Sequence, residues 1–403
     1  MEFFCLYLMA ACWCAGAAAV PENEEDPRFW RTQAQDTLRR ALNLRHNTNV
    51  AKNIVFFLGD GMDIATVTAA RILKGQLQNR SGEETVLSME SFPYTALSKT
   101  YSVDFQIPDS SSTATAMLCG VKTNLNTVGI SAAGRNGICS SQQGNEVTSI
   151  LRWSKEAALF EPGDLRFELE RDPTTDPSLT EMTEKAIRIL QKNPNGFFLL
   201  VEGGKIDQGH HASRAAMALH ETVMLDETVE RALELTTEED TLTIVTADHS
   251  HSFTFNGFPF RGNPILGKSP VYGKDFLPYT TLLYGNGPGH KIVNNARPDI
   301  RKVDTASKDY VQQSSVLLDK ETHGGEDVAV FARGPMAHLF HGVQEQNYVA
   351  HAMAYAACVG ENQGHCAKSS ASANDSPGNA GAEHSASRSA QLAGFILIAC
   401  LLH

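Results

Sequence analysis

The sequence predicts an α/β fold: a mostly parallel central sheet with helices on both faces, plus a small irregular excursion subdomain. Three observations lead there. Short β-branched and aromatic runs at residues 197–201 and 242–245 read as buried strands. Each is followed by a carboxylate–histidine cluster, Asp207 with His211 and Asp248 with His249. The chain has 403 residues, 42% of them hydrophobic and 20% charged, enough for one sizeable domain or one domain with an insert. Ligands of open α/β sheets bind beyond the carboxyl ends of the strands, so both clusters are expected at one edge of one sheet.

In chain order, residues 27–44 read as a helical arm and 52–58 as the first strand, which Gly59-Asp-Gly61 terminates. Residues 64–75 follow as a helix and 98–103 as a second strand. Residues 109–119 begin as a loop and continue as a small-residue helix. Ser178 with Glu181 forms a capping box that opens a helix to residue 191. Residues 211–235 read as one long amphipathic helix. Frequent Gly and Pro mark about residues 256–320 as an excursion from the sheet, with a short strand at 279–284. Residues 328–332 return as a core strand and 350–358 form a last helix.

The termini read as processing signals. Residues 3–19 are apolar and end in small residues, the pattern of a signal peptide (residues 1–19), although Glu2 stands where a basic residue is usual. Residues 369–389 are a Ser/Ala/Asn/Gly-rich linker, and residues 390–403 are an apolar tail too short to span a bilayer. Small residues, a polar spacer and a short apolar tail match a GPI-attachment signal. Asn374 and Asn379 both start small-residue triplets, and spacer length favours Asn379. The expected location is the extracellular face of the plasma membrane. Of eight cysteines, Cys5, Cys12, Cys14 and Cys400 leave with the terminal segments. Cys119, Cys139, Cys358 and Cys366 remain, and an even count in a secreted chain suggests disulfides. The local pairs Cys119–Cys139 and Cys358–Cys366 are favoured among the three connectivities that sequence permits. Asn79 and Asn374 head glycosylation sequons. A net charge of −12 and no basic stripe argue against a nucleic-acid partner.

Mixed carboxylate and imidazole ligands suit zinc, and two such clusters suggest two metals, the arrangement used for in-line phosphoryl displacement. Asp60, between two glycines at a strand end, can approach a metal closely; alone, it reads as a turn. Glu202 is a hard oxygen ligand fit for magnesium. Ser110, after Asp109 at a helix start, sits where backbone N–H groups and the helix dipole favour phosphate. Alone, Ser110-Ser-Ser112 reads as an N-cap, and a lone His323 reads as structural.

Jointly the pieces resemble one family, the alkaline phosphatases, and within it the mammalian membrane-anchored tissue forms of intestinal or placental type. The carrying motifs are Leu58-Gly-Asp-Gly-Met62, Ile107-Pro-Asp-Ser-Ser-Ser-Thr-Ala-Thr115, Val201-Glu-Gly-Gly-Lys-Ile-Asp-Gln-Gly-His-His211, Thr246-Ala-Asp-His-Ser-His251 and Glu321-Thr-His-Gly-Gly-Glu-Asp-Val-Ala-Val-Phe331. The resemblance implies an alkaline phosphatase-like domain over residues 20–368 that hydrolyses phosphate monoesters as a homodimer. It implies Ser110 as the nucleophile that forms phosphoserine. It implies one zinc on Asp207, His211 and His323, and a second on Asp248, His249 and Asp60, with Asp60 also facing a magnesium held by Glu202. It gives Asp109 and His251 orienting roles, and makes Phe160, Glu161 and Asp176 part of a calcium site.

Three departures stand against the resemblance. Near residues 155–158 a segment the size of a small domain is missing. With it would go central strands, a hydroxyl ligand of magnesium, a calcium ligand and the arginine that clamps phosphate. Asp63 stands where the family usually has glycine, and Gln208 where histidine is usual. The alternative expectation is therefore a catalytically impaired, splice-type variant, acting as a metal- or phosphate-binding surface protein or a defective subunit.

Overall fold

β1, Asn53–Gly59, is buried at every position. Its side chains divide by the two-residue period of a strand. Ile54, Phe56 and Leu58 join one core cluster with Met117, Met336, Phe340, Val349 and Met353. Val55 and Phe57 join another with Ile187, Leu190, Leu225 and Val229 on the opposite face. A strand covered on both faces carries an unbroken apolar run, which is why this one was legible. The computed structural model describes residues 22–150, 165–366 and 395–398. The signal peptide, the junction at residues 155–158, Phe160, Glu161, Asn374 and Asn379 lie outside the described residues.

The first helix is α1, Pro27–Asn43, capped by Asp26, with none of its residues buried. After β1 come α2, Ile64–Leu77, β2, Tyr94–Lys99, and α3, Ser110–Cys119. Next are α4, Leu179–Leu190, β3, Phe198–Gly203, α5, Lys205–His211, and α6, Ala215–Leu235. β4, Thr241–Ala247, leads to the short β5, Ser250–His251, and to β6, Phe253–Phe255. β7, Leu282–Gly287, and β8, Ser314–Leu317, belong to the excursion. β9, His323–Gly324, β10, Val328–Arg333, β11, Gly342–Glu345, and α7, Tyr348–Ala356, follow. The last element is β12, Phe395–Ile398.

The main sheet runs β11-β2-β10-β4-β1-β3-β12. β4, β1, β3 and β12 are mutually parallel, and β10 is antiparallel to both its neighbours. α4 and α6 cover one face, α3 and α7 the other. β6, β7 and β8 form a separate small sheet, and β6 and β7 pack through Phe253, Leu282 and Tyr284 against α2 and α6.

Three sequence expectations are corrected. The second strand lies at Tyr94–Lys99, not 98–103, because its partner β10 starts at Val328 opposite Ser98 and offers nothing further along. The long helix expected over residues 211–235 starts at Ala215, and a separate short helix, Lys205–His211, precedes it, the two divided where Ser213 takes a left-handed φ of 52°. That break turns Asp207 and His211 onto their own short helix. Cys358 and Cys366 are joined, but Cys119 and Cys139 are free. Cys119 ends α3 beside His351 and Tyr355, whereas Cys139 is exposed on a loop with Arg135 and Gln142, on a different surface.

The capping box at α4 is complete in both directions: Ser178 Oγ accepts from Glu181 N, and the Glu181 carboxylate accepts from Ser178 N. Ser178→Ala is expected to cost about 1 kcal/mol, a fall of roughly 2 °C in a thermal melt.

Candidate metal centre

The register of β4, β1 and β3 places their carboxyl ends level. Leu58 stands opposite both Thr246 and Glu202, and Gly59 opposite both Ala247 and Gly203. The next residues leave the sheet together: Asp60 after β1, α5 after β3, Asp248 and His249 after β4. β9 brings His323 across from His251 by antiparallel pairing with β5. Asp109 caps α3, so Ser110 is its first residue.

Two sets of three donors result. In the first, Asp207 Oδ1 is 3.3 Å from His211 Nε2 and 3.2 Å from His323 Nε2, and the two Nε2 atoms are 3.1 Å apart. In the second, His249 Nε2 is 3.2 Å from both Asp60 Oδ1 and Asp248 Oδ2. Ser110 Oγ lies 3.2 Å from the same His249 nitrogen. The His249 and His323 rings stack with centroids 3.5 Å apart, so the sets are adjacent.

The tautomers follow from the partners. His211 Nδ1 meets the Glu321 carbonyl oxygen at 2.6 Å, His323 Nδ1 meets that of Pro108 at 2.9 Å, and His249 Nδ1 meets that of Ser250 at 3.2 Å. A carbonyl only accepts, so each Nδ1 donates. In the neutral ring, each Nε2 then carries a lone pair pointing inward. Burial pushes His249 down to about 4, which keeps it neutral. Burial also lowers His211. Two lone pairs facing each other at 3.1 Å require a cation between them. At His323 burial opposes the charged ring, but Asp207 raises it above its ordinary value.

The second set is equally short of positive charge. Both carboxylate oxygens of Asp60 are buried without a hydrogen-bond partner. Burial, then Asp248, Asp207 and Glu202, push Asp60 far above the ordinary carboxylate range. Three N/O donors with an open fourth direction are the usual catalytic zinc set. Separations of 3.1–3.3 Å within the first set match what ligands about 2.0–2.1 Å from a tetrahedral ion subtend. The residues therefore fit divalent metals.

His251 is committed elsewhere. It is fully buried, with Nε2 2.9 Å from Asp207 Oδ1 and Nδ1 2.6 Å from Glu321 Oε2. Burial opposes its charge, but the two carboxylates raise it to about 10. A charged His251 holds Asp207 in place from behind. Glu321 accepts from His251 and Ser252 through its carboxylate and from His211 through its carbonyl, a role that sequence reasoning did not assign. Its signal was there: it stands two residues before His323 in the same motif.

Asp109 is an orienting residue too. Its carboxylate accepts from the N–H groups of Ser111, Ser112 and Asn126. Burial works against that charge, but these hydrogen bonds hold Asp109 below its ordinary value. Thr113 Oγ1 and the Gly61 N–H both donate to Asp248. Asp63 caps α2 by accepting from Thr66 N at 2.6 Å and also accepts from His251 N at 3.3 Å. Gln208 accepts from Lys205 Nζ.

Glu202 stands apart from both triads. It is half-buried at the end of β3, where burial, then Asp248 and Asp207, raise it to about 8. Asp176 accepts from Asp172 N and Thr175 Oγ1; Phe160 and Glu161, its expected partners at calcium, lie outside the described residues.

Gly61 has φ +67°, and a Cβ there would lie 2.3 Å from His251 Nε2. Gly61→Ala is expected to destabilise the protein by on the order of 2 kcal/mol and to displace His251 from Asp207. A thermal melt with metal titration checks both.

Comparison with known proteins identifies relatives of this arrangement. The alkaline phosphatase family profile matches residues 51–158 and 157–359, two stretches that meet at 157–158. The tissue-nonspecific isozyme of alkaline phosphatase from Felis catus is 45% identical over 497 positions, covering 91% of this chain and 95% of that protein. The Homo sapiens isozyme is 45% identical over 489 positions, covering 89% and 93%. An alkaline phosphatase from Gadus morhua is 42% identical over 477 positions, covering 86% and 100%. Alignments longer than the 403-residue chain mean that these relatives carry a segment it lacks. Among solved structures, alkaline phosphatase from Thermus thermophilus superposes with a TM-score of 0.54 at 17% identity, covering 85% of this chain and 96% of that one. The enzyme from the Antarctic bacterium TAB5 gives 0.52 at 18% identity, covering 78% and 100%.

Proposed function

The chain belongs to the alkaline phosphatase family, and on that premise we propose that it hydrolyses phosphate monoesters through a phosphoserine formed on Ser110, with zinc in both donor triads. The observation that carries this reading is the convergence of three inward Nε2 atoms, from His211, His249 and His323, on Asp60, Asp207 and Asp248. Divalent ions held by these residues would supply Lewis acidity beside the Ser110 hydroxyl and the leaving oxygen. Asp60 and Glu202 are the oxygen donors for a magnesium beside the second set.

The protein's own groups position the reaction. Asp109 fixes the start of α3, which aims Ser110 Oγ at His249. The His251–Glu321 pair holds Asp207 and His211 in register from behind. Ser110 would need no histidine base, because a metal held beside its hydroxyl would lower the hydroxyl pKa directly.

A second reading has its own observation. The relatives carry a segment absent here, at the point where the two family-matched stretches meet. If that segment supplies a phosphate-clamping arginine, its loss lowers turnover by about 10²–10³ relative to full-length relatives. The chain is then a weak enzyme, or a metal- or phosphate-binding subunit.

The reading also places the protein outside the cell. Residues 1–19 direct export, and a GPI anchor at Asn379 replaces residues 380–403, the apolar tail 390–403 included, in the processed form. Among the described residues no helix is long and apolar enough to cross a membrane. Release of a chromogenic alcohol from its phosphate ester at alkaline pH, with zinc content measured on the same sample, tests the proposal. Zinc bound with no turnover favours the second reading.

A further inference from the structure

One buried polar chain joins the excursion to the metal centre. His210 lies on α5 between Asp207 and His211 and is fully buried, as are Thr66 on α2 and Tyr284 on β7. His210 Nδ1 is 2.8 Å from the Tyr284 hydroxyl, and its Nε2 is 3.0 Å from Thr66 Oγ1. Phe253 and His251 pack against the ring, with centroids 4.9 and 4.7 Å away. Asp63 extends the chain. Burial pushes it up to about 6, against hydrogen bonds from the Thr66 N–H and hydroxyl. The direction of each bond follows. A Thr66 hydroxyl that donates to Asp63 accepts from His210 Nε2–H, so Nδ1 accepts from Tyr284. Burial, then Glu321 and Asp63, push Tyr284 well above its ordinary value, so it remains a phenol able to donate.

α5 depends on such ties. It has seven residues and no side-chain N-cap, and a helix that short has little stability of its own. Its C-terminal end is held through the backbone: the Glu321 N–H donates to the His211 carbonyl, and the Gln312 N–H to that of Ser213. Gly209 packs so closely on α6 that a Cβ there would lie 2.7 Å from Ala218 N. The His210 side chain adds the hydrogen bonds that reach α2 and the excursion. We propose that Tyr284 is a positioning residue for the first donor triad: through His210 it fixes the rotation of α5, and with it the directions of Asp207 and His211. This rests on the reading that the triad holds zinc.

Zinc competition with a metallochromic chelator tests this on the full chain, comparing wild type with Tyr284→Phe, which removes one hydroxyl and keeps the ring. One zinc ion is expected to be held about 10-fold more weakly in Tyr284→Phe and the other unchanged, the scale on which outer partners tune a metal. In an Asp207→Ala background, where only the second triad is intact, Tyr284→Phe should change nothing. In a His210→Phe background it should add nothing further, because its effect passes through that ring. Thr66→Val is an independent arm with the same expected loss. Equal retention of both ions in Tyr284→Phe and Thr66→Val, or equal weakening of both ions, overturns the proposal. Hydrogen exchange on the chelated chain reads the tie without metal. The amides of residues 209–211 are expected to exchange about 10-fold faster in Tyr284→Phe, from the loss of one buried hydrogen bond. A wild-type chain that holds no zinc removes the functional reading, whereas unchanged exchange of α5 in the variant removes this one.

Discussion

Ser110→Ala is expected to lower turnover of a phosphate monoester by on the order of 10³-fold or more, as loss of a covalent nucleophile does in enzymes whose catalytic groups act as a unit. The expectation rests on position. Ser110 is the first residue of α3, its hydroxyl is 3.2 Å from His249 Nε2, and the Asp109 carboxylate fixes the turn that presents it. Two nearby hydroxyls are otherwise occupied: Ser112 bonds Ser102 and the Asp109 carbonyl, and Thr113 bonds Asp248. Neither is free to substitute. Zinc content should be unchanged in Ser110→Ala, which separates loss of the nucleophile from loss of the metals. Brief reaction with labelled substrate followed by an acid quench should leave label on the wild-type peptide that contains Ser110 and none on the variant. Activity surviving in Ser110→Ala would remove Ser110 from its role.

Removal of the metals is expected to have the largest effect on stability. Burial, then neighbouring carboxylates, push both Asp60 and Glu202 above their ordinary values, and Asp60 has no hydrogen-bond partner. A ligand at 1,000 times its dissociation constant stabilises the native state by about 4 kcal/mol. Two ions should therefore raise the thermal midpoint by roughly 10 °C over chelated protein. Readdition of zinc should restore it. An equal midpoint with and without chelator would mean that the triads bind nothing of consequence.

Much of this site was legible because the chain delivers its ligands in compact runs after strands. Asp248 and His249 are consecutive, and Asp207 and His211 share one turn of helix. The apolar runs that identify β1, β3 and β4 were readable because both faces of those strands are buried. What depended on long-range packing was not. The position of β2 is set by where β10 begins, and no local pattern records that. The break between α5 and α6 depends on a left-handed Ser213, a conformation that serine rarely adopts. Glu321 was quoted in a motif yet given no part, because its contacts lie on residues 70 and 110 positions away. The pairing of β12 with β3 joins segments almost 200 residues apart, beyond any periodicity argument. Asp63 reads in sequence as a stray carboxylate beside the metals; in the fold it caps α2 and supports the His251 backbone.

Metal stoichiometry reaches the centre of the question most directly. Elemental analysis of the folded, extensively dialysed chain should give two zinc ions per polypeptide. Asp207→Ala and Asp248→Ala, which alter different triads, should each retain about one. Well-folded wild-type protein that holds no transition metal, or variants that keep the full complement, would contradict the assignment of these two sets of side chains.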